Sequence, residues 1–164
     1  MNKILIILSF LSITLSQGLA EEPLVVMTWP EKAEELTDIR LSGMRPERAY
    51  PVVQKQFQEI FERSIRSFLE EGQQLKVTIK DIDLAGDIEP WRGGRFSDVR
   101  IIRSIYPARL SFSWQLKSAE GSVLKEGEER LVSNMVTRPH GFGSNDNLAY
   151  ERDLIRRWGR QTLR

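Results

Sequence analysis

The chain has 164 residues, with 24 Lys+Arg against 23 Asp+Glu, one histidine and no cysteine. Without cysteine, disulfides, thiolate metal sites, thiol catalysis and zinc sites built from histidine and cysteine are all excluded. Because the charges nearly cancel, composition provides no global attraction to nucleic acid, and we predict no nucleic-acid partner.

The first twenty residues are typical of a secretory signal peptide. Lys3 provides a short basic start, residues 4–15 are an apolar run broken only by serine and threonine, and Gly18 and Ala20 are small. These features predict export to the periplasm or secretion, with cleavage after Ala20. The run is shorter than the roughly 20 apolar residues that span a bilayer. A retained anchor is the alternative, and we expect no transmembrane segment after cleavage. Residues 21–164 suit one domain in length.

The first half of the mature chain predicts a strand, a helix and a second strand. Residues 24–29 are rich in β-branched and aromatic side chains and are stopped by Pro30, which indicates a strand. Residues 31–48 read as loop with at most a short helical turn. From Pro51 to Leu69 the apolar residues recur at helical spacing, which predicts an amphipathic helix. Its apolar face consists of Val53, Phe57, Ile60, Phe61, Ile65 and Phe68. Residues 75–80 then alternate as a half-buried strand.

The second half predicts three more strands and a final helix. Residues 98–106 read as a strand that would bury Val99, Ile101 and Ile105, and residues 110–116 alternate more clearly. A turn near residues 119–121 leads into a strand over 123–132 that looks like an edge. The last helix is expected to start at residues 144–146 and end near Thr162. The predicted fold is α+β: a mainly antiparallel sheet of about five strands, in the order β-α-β-β-β-β-α, with both helices on one face.

The stretch DIDLAGDIEPW, residues 81–91, combines four acids with a glycine, a proline and a tryptophan. If strand alternation continued past residue 80, Asp81 and Asp83 would point into the core. Burying unpaired carboxylates is costly, so we expect the strand to bulge, bend or end near Asp81.

Two interpretations of this acidic stretch stay open. Asp81, Asp83, Gly86 and Glu89 match positions 1, 3, 6 and 9 of an EF-hand calcium loop, but Ala85 and Arg92 occupy ligand positions and the entering element is a strand. A looser divalent site, for calcium for example, would use Asp81, Asp83, Asp87 and Glu89. Alternatively, the carboxylates bond the backbone of a turn or pair with Arg92, Arg95, Arg100 or Arg109. The candidate binding residues are therefore Asp81, Asp83, Asp87, Glu89, Trp91, Arg100 and Arg109.

No catalytic constellation is recognisable, and no catalytic residue is predicted. His140 lies between Pro139 and Gly141 in a predicted loop, and no Gly-x-Ser-x-Gly elbow accompanies it. Acids that are close in sequence are poor indicators of glycosidase geometry. The arginines of the last helix complement its dipole, with contact to envelope lipid phosphates as the alternative.

Several segments together resemble a known family. They are DIDLAGDIEPW (81–91), DVRII (98–102), YPARL (106–110) and YERDL (150–154) with Trp158. They resemble a proteobacterial family of exported proteins known as domain of unknown function 3016. The resemblance implies export and a single domain, and it implies no activity. The chain departs from it at Arg152 and at Arg156 and Arg157, where the resemblance leads us to expect a lysine and acidic residues.

Our leading hypothesis is an exported, periplasmic, non-enzymatic binding or envelope-accessory module that contacts an envelope protein or ligand and needs no cofactor. The alternative is a divalent-metal-binding or metal-dependent hydrolytic domain built on residues 81–89.

Overall fold

A computed structural model describes residues 23–94, 97–135 and 147–164. The strands are β1 (Val25–Thr28), β2 (Gln74–Asp83), β3 (Asp87–Ile88), β4 (Arg100–Ile101), β5 (Arg109–Lys117) and β6 (Val123–Val132). The helices are α1 (Pro46–Ile65) and α2 (Ala149–Thr162), with short 3₁₀ turns at Ala33–Glu35, Arg66–Phe68 and Pro90–Arg92. The predicted signal peptide, Arg95, His140 and the predicted cap residues 144–146 lie outside the described residues.

The main sheet has four strands in the order β1-β2-β5-β6, and β3 and β4 form a separate two-stranded sheet. β1 runs parallel to β2, whereas β2, β5 and β6 are antiparallel neighbours. The parallel pair follows from α1, which carries the chain back between the two strands. The predicted α+β fold with a mainly antiparallel sheet is confirmed, although the strands divide into four plus two instead of forming one sheet of about five.

Both helices cover one face of the main sheet, as predicted. Alternate residues of β2 and β5 point to this face and are almost completely buried: Leu75, Val77, Ile79, Leu110, Phe112, Trp114 and Leu116. The Trp158 ring of α2 lies 5.1 Å from that of Phe112, and the Phe61 ring of α1 lies 5.7 Å from Phe112, both edge to face. This aromatic contact joins both helices and the sheet in one core.

Helix α1 begins five residues earlier than predicted. Pro46 occupies its first turn, where a missing N–H costs nothing, and Ala49 is fully buried. Pro51 therefore lies inside the helix and not near its start. The apolar spacing located the buried face, because Val53, Phe57, Phe61 and Ile65 are buried, although Ile60 and Phe68 are only partly buried. It did not locate the start, because the first turn contributes only one buried residue, the small Ala49.

The strand predicted over residues 98–106 is wrong in extent. Only Arg100–Ile101 pairs, with the two residues of β3, and Ile105 is 65% exposed. The buried side chain here is Arg100, which is 7% exposed. The alternation of apolar residues led to the wrong prediction, because the buried guanidinium of Arg100 holds this segment, which does not form one face of a sheet. By contrast, β6 forms an edge of the main sheet as expected.

Candidate functional site

The end of β2 contains the bulge that the acidic stretch required. Ile79 pairs with Phe112 and Asp81 with Ser111, so the register shifts by one residue between them. The extra residue keeps Ile82 in the core, where it is 0% exposed, and places Asp81 and Asp83 on the opposite side. The prediction of a bulge near Asp81 is confirmed.

These two carboxylates bind different partners. Asp81 accepts hydrogen bonds from the backbone N–H and the hydroxyl of Thr37, at 2.8 and 2.9 Å. Asp83 accepts one from its cross-strand neighbour Arg109 at 2.6 Å. Residues 37–38 run along the end of β2, and Asp38 forms a bridge with Asp83. The first half of the acidic stretch thus fastens a distant loop to the sheet.

Arg100 holds the turn that follows. Its guanidinium donates to the carbonyl oxygens of Leu84, Ala85 and Gly86, and to the Asp38 carboxylate at 2.8 Å. At Gly86 the backbone has a φ of +82°, and an added Cβ would lie 2.7 Å from the Ile101 carbonyl oxygen. Only glycine fits a turn with that conformation and that close approach.

An ion-pair chain links this turn to residues 38–40. Arg40 donates to Asp38 at 3.0 Å and to Asp87 at 2.7 Å. Burial acts to raise the pKa of Asp38, but the hydrogen bonds from Arg40 and the charges of Arg100 and Arg40 outweigh it, so that pKa lies below its ordinary value. The hydrogen bond to Asp38 also raises the pKa of Arg40. Both groups are therefore charged at neutral pH.

Glu89 is the most buried acid of the stretch, at 1% exposure. Its carboxylate accepts hydrogen bonds from Arg92 at 2.5 Å and from the Tyr106 hydroxyl at 3.2 Å, and it forms an ion pair with Arg103 at 3.2 Å. Burial and the hydrogen bond to Glu89 raise the pKa of Tyr106, so its hydroxyl stays a donor. One carboxylate thus joins the 90–92 turn to the loop between β4 and β5.

A second buried acid, Glu151, binds the backbone of this turn. Its side chain lies in the first turn of α2, is 0% exposed, and accepts a hydrogen bond from the Ala85 N–H at 2.7 Å. This contact fixes the acidic stretch against a helix 66 residues away in sequence.

Several exposed side chains lie in the segments that carry this network. We call Trp91, Ile102 and Ile105, with the flanking Arg92 and Arg103, the platform. Its apolar side chains are 72%, 39% and 65% exposed, and its two arginine side chains are 41% and 42% exposed. Both guanidiniums bind the Glu89 carboxylate, so these two arginines of the platform share one buried anchor.

An open cleft of about 740 Å³ lies where β2 and β6 end and β5 begins. Asp81 and Arg109 line it together with Lys80 and Glu128. Lys80 pairs with Glu128 at 2.6 Å, Arg109 with Asp83, and Asp81 binds Thr37. Lys80, Asp81, Arg109 and Glu128 are therefore all engaged in contacts within the protein.

A family model described as "Protein of unknown function (DUF3016)" matches residues 24–161, which is most of the chain. The chain belongs to the DUF3016 family. The resemblance seen in the sequence is thereby confirmed at the level of the family. No curated protein and no solved structure matches this DUF3016 chain.

In the structure, the predicted site residues of this DUF3016 protein contact several different partners. Among the described residues, no three histidine, aspartate or glutamate side chains are placed to hold a metal ion. The carboxylates of Asp81, Asp83, Asp87 and Glu89 each bind another residue, and Trp91 is exposed. Arg109 pairs with the acidic stretch as expected, whereas Arg100 pairs with Asp38 and with carbonyl groups.

Sequence reasoning missed Asp38, Arg40, Arg103, Tyr106 and Glu151. They lie in a predicted loop, in the wrongly predicted strand over residues 98–106 and on the amphipathic last helix. In such segments the sequence does not distinguish a polar residue with a buried partner from one that faces solvent. The resembling blocks could have pointed to two of them, since YPARL begins with Tyr106 and YERDL contains Glu151.

In the part of the chain that the structure describes, no helix has the length and apolarity needed to cross a bilayer.

Proposed function

We propose that this DUF3016 protein is a non-enzymatic binding module exported to the cell envelope, and that the platform is its contact surface. Export is supported by the basic start, apolar run and small residues of positions 1–20. The acidic stretch acts as a scaffold in this proposal, because its carboxylates hold loops, turns and arginines in place.

The observation that carries the proposal is the exposure of the platform. Eight large hydrophobic residues of the described chain are well exposed, and four of them, Trp91, Val99, Ile102 and Ile105, fall between residues 91 and 105. Exposed apolar residues in a segment that also carries exposed arginines suit an interaction site, where tryptophan and arginine are frequent hot-spot residues. In this proposal the ion pairs of Glu89 hold Arg92 and Arg103 in place before binding, which lowers the entropy cost of association.

Export is tested by expressing the full chain and identifying the amino terminus of the product in the periplasmic and cytoplasmic fractions. We expect a periplasmic product that begins at Glu21. A matched variant, Gly18→Gln with Ala20→Gln, replaces the small residues before the cleavage point and should accumulate as precursor. A full-length product confined to the cytoplasm would contradict the proposal.

The binding role is tested separately from export. A photoreactive residue at position 105 should form cross-links in the envelope, whereas one at Lys55, an exposed position on α1, should not. If position 105 forms no cross-links and the protein has a hydrolytic activity that Asp83→Asn abolishes, the proposal of a binding module is wrong and the protein is an enzyme.

A further inference from the structure

We infer that the chain forms a two-fold symmetric dimer in which the β6 strands of two copies pair antiparallel at the edge of the main sheet. The inference goes beyond the proposed function and uses none of the platform residues. In the part of the chain that the structure describes, β6 pairs only with β5, so its other edge presents unpaired backbone N–H and C=O groups. The strand has ten residues, and none of them is buried.

The opposite edge of the main sheet is less suited to pairing with another strand. β1 has only four residues, and Pro30, which follows it closely, has no N–H to donate. The Gln58 side chain of α1 donates to the Val25 carbonyl oxygen at 2.8 Å. Because β1 is short and partly occupied, β6 is the edge at which a second copy can extend the sheet.

The charges of β6 complement one another in one antiparallel register of two copies. If Glu128 of one copy lies opposite Glu128 of the other, Glu126 lies opposite Arg130, and this pair occurs twice. These three side chains lie on the same face of β6, because they pair with alternate residues of β5, and all three are exposed. Opposite charges that face each other across neighbouring strands stabilise the pairing of those strands.

The same register brings together exposed apolar side chains from the two ends of β6. Val123, Leu124 and Val132 are three of the eight large hydrophobic residues that are well exposed in the described chain. With Glu128 at the centre, Leu124 of one copy lies opposite Val132 of the other, again twice. The β5–β6 ladder shifts its register beside Leu124 and is regular from Lys125 onward, so the shift leaves the charged centre unchanged. An apolar pair therefore flanks the charged centre on both sides.

The like charges at the centre of this dimer are neutralised within each copy. Glu128 pairs with Lys80 at 2.6 Å, so the two Glu128–Lys80 pairs together carry no net charge. Charged side chains on an exposed edge ordinarily oppose strand pairing, but in β6 their effect depends on the register. Moving the centre to Gly127 would place Glu126 opposite Glu128, and moving it to Glu129 would separate the apolar ends. Of these three registers, only the one centred on Glu128 combines two ion pairs with two apolar pairs.

The test is analytical ultracentrifugation of the chain from residue 21 at low salt, over about a hundredfold range of concentration. The core residues of the described chain all lie between Val25 and Leu163, so this protein contains that core. We expect a reversible equilibrium between monomer and dimer. Arg130→Glu and Glu126→Arg should each weaken dimerisation at least about tenfold, because each places two like-charged pairs across the interface. A wild type that stays monomeric over the whole range would overturn the inference.

A charge swap makes the location and the register specific. An equimolar mixture of the Arg130→Glu and Glu126→Arg variants restores opposite charges at both positions, as does the double variant, and both should dimerise like the wild type. The replaced side chains are exposed, so each variant should melt like the wild type. The matched control, Arg63→Glu, reverses an exposed charge on α1 and should leave dimerisation unchanged. Failure of the swap to restore the dimer, or an equal loss in the control, would overturn the inference.

A single introduced thiol reports the centre of the interface directly, because the chain has no cysteine. Glu128→Cys places two thiols opposite each other across the two-fold axis, where residues of paired strands are close enough for a disulfide. With oxidised glutathione, this variant should form a covalent dimer much faster than Lys55→Cys, an exposed position on α1. Equal rates for the two variants would contradict pairing centred on Glu128.

Discussion

Replacing Glu89 by alanine should destabilise the protein and loosen the platform. The carboxylate is 1% exposed and makes three contacts, to Arg92, Arg103 and Tyr106. The two arginines are more than 40% exposed, so water replaces part of what they lose, and each contact is worth about 1 kcal/mol. Removing a buried charge also relieves its desolvation cost. We therefore expect a net loss of about 2 kcal/mol in the free energy of unfolding.

For a chain of this size, about 2 kcal/mol corresponds to a fall of about 4–8 °C in melting temperature. Thermal unfolding followed by circular dichroism at pH 7 measures it. The matched control is Glu59→Ala, which removes an exposed pair with Arg63 on α1 and should change the melting temperature by less than about 2 °C.

A second readout reports on the platform itself. Limited trypsin digestion should cut the Glu89→Ala variant faster at Arg92 and Arg103 than the wild type, because both arginines lose their anchor. Equal melting temperatures for the Glu89 and Glu59 variants, with unchanged digestion at these two arginines, would refute the view that the buried carboxylate organises this surface.

Four further predictions concern the rest of the network. Arg100→Lys should lower stability by about 2 kcal/mol in urea unfolding, since an ammonium cannot reach three carbonyls and Asp38 together; an effect under 0.5 kcal/mol would contradict this. Gly86→Ala should cost about 2–4 kcal/mol, against about 1 for Gly43→Ala, which shares the positive φ but meets no atom within 4 Å; equal costs would dismiss the close contact. The pKa of Asp38 is lowered in the folded state, so its carboxylate stabilises the protein at pH values above its unfolded pKa, and this stabilisation is lost as pH falls below about 4. The wild type should therefore lose stability between pH 4 and 2 more steeply than Asp38→Asn. Calcium, magnesium or manganese should leave the melting temperature unchanged relative to chelator, whereas a metal site filled at a hundredfold excess over its dissociation constant would add about 2.7 kcal/mol.

Much of the fold was predictable because hydrophobic spacing is a local property of the chain. The stripe from Val53 to Ile65 and the alternation from Leu110 to Leu116 each predicted both the element and its buried face, and the structure confirms them. Even the β2 bulge followed from local reasoning, since two acids in core register are too costly to bury unpaired. Prediction failed over residues 98–106, where apolar alternation indicated a strand but the buried Arg100 turns the isoleucines outward.

The candidate site was predictable only in part. The acidic stretch was correctly recognised as unusual, and arginines were expected as partners, but Arg40, Arg103 and Glu151 were not among those named. Their contacts join residues separated by 47, 14 and 66 positions, and no local pattern encodes which distant charge a carboxylate meets. Of the platform, the sequence had singled out only Trp91 and Arg92. The exposure of Ile102 and Ile105 was missed, since it depends on which distant parts of the chain pack against them.

By itself the sequence determined most of the elements, the faces that α1 and the long strands bury, and the need to neutralise residues 81–89, because helical period, strand alternation and the cost of burying charge act within a few residues. Only the tertiary structure decided that the carboxylates hold loops, turns and arginines, and that Trp91, Ile102 and Ile105 remain at the surface. Those outcomes depend on side chains brought together from β2, the 37–40 segment, the β4–β5 loop and α2. Packing of the whole chain is what places them within hydrogen-bond distance of one another.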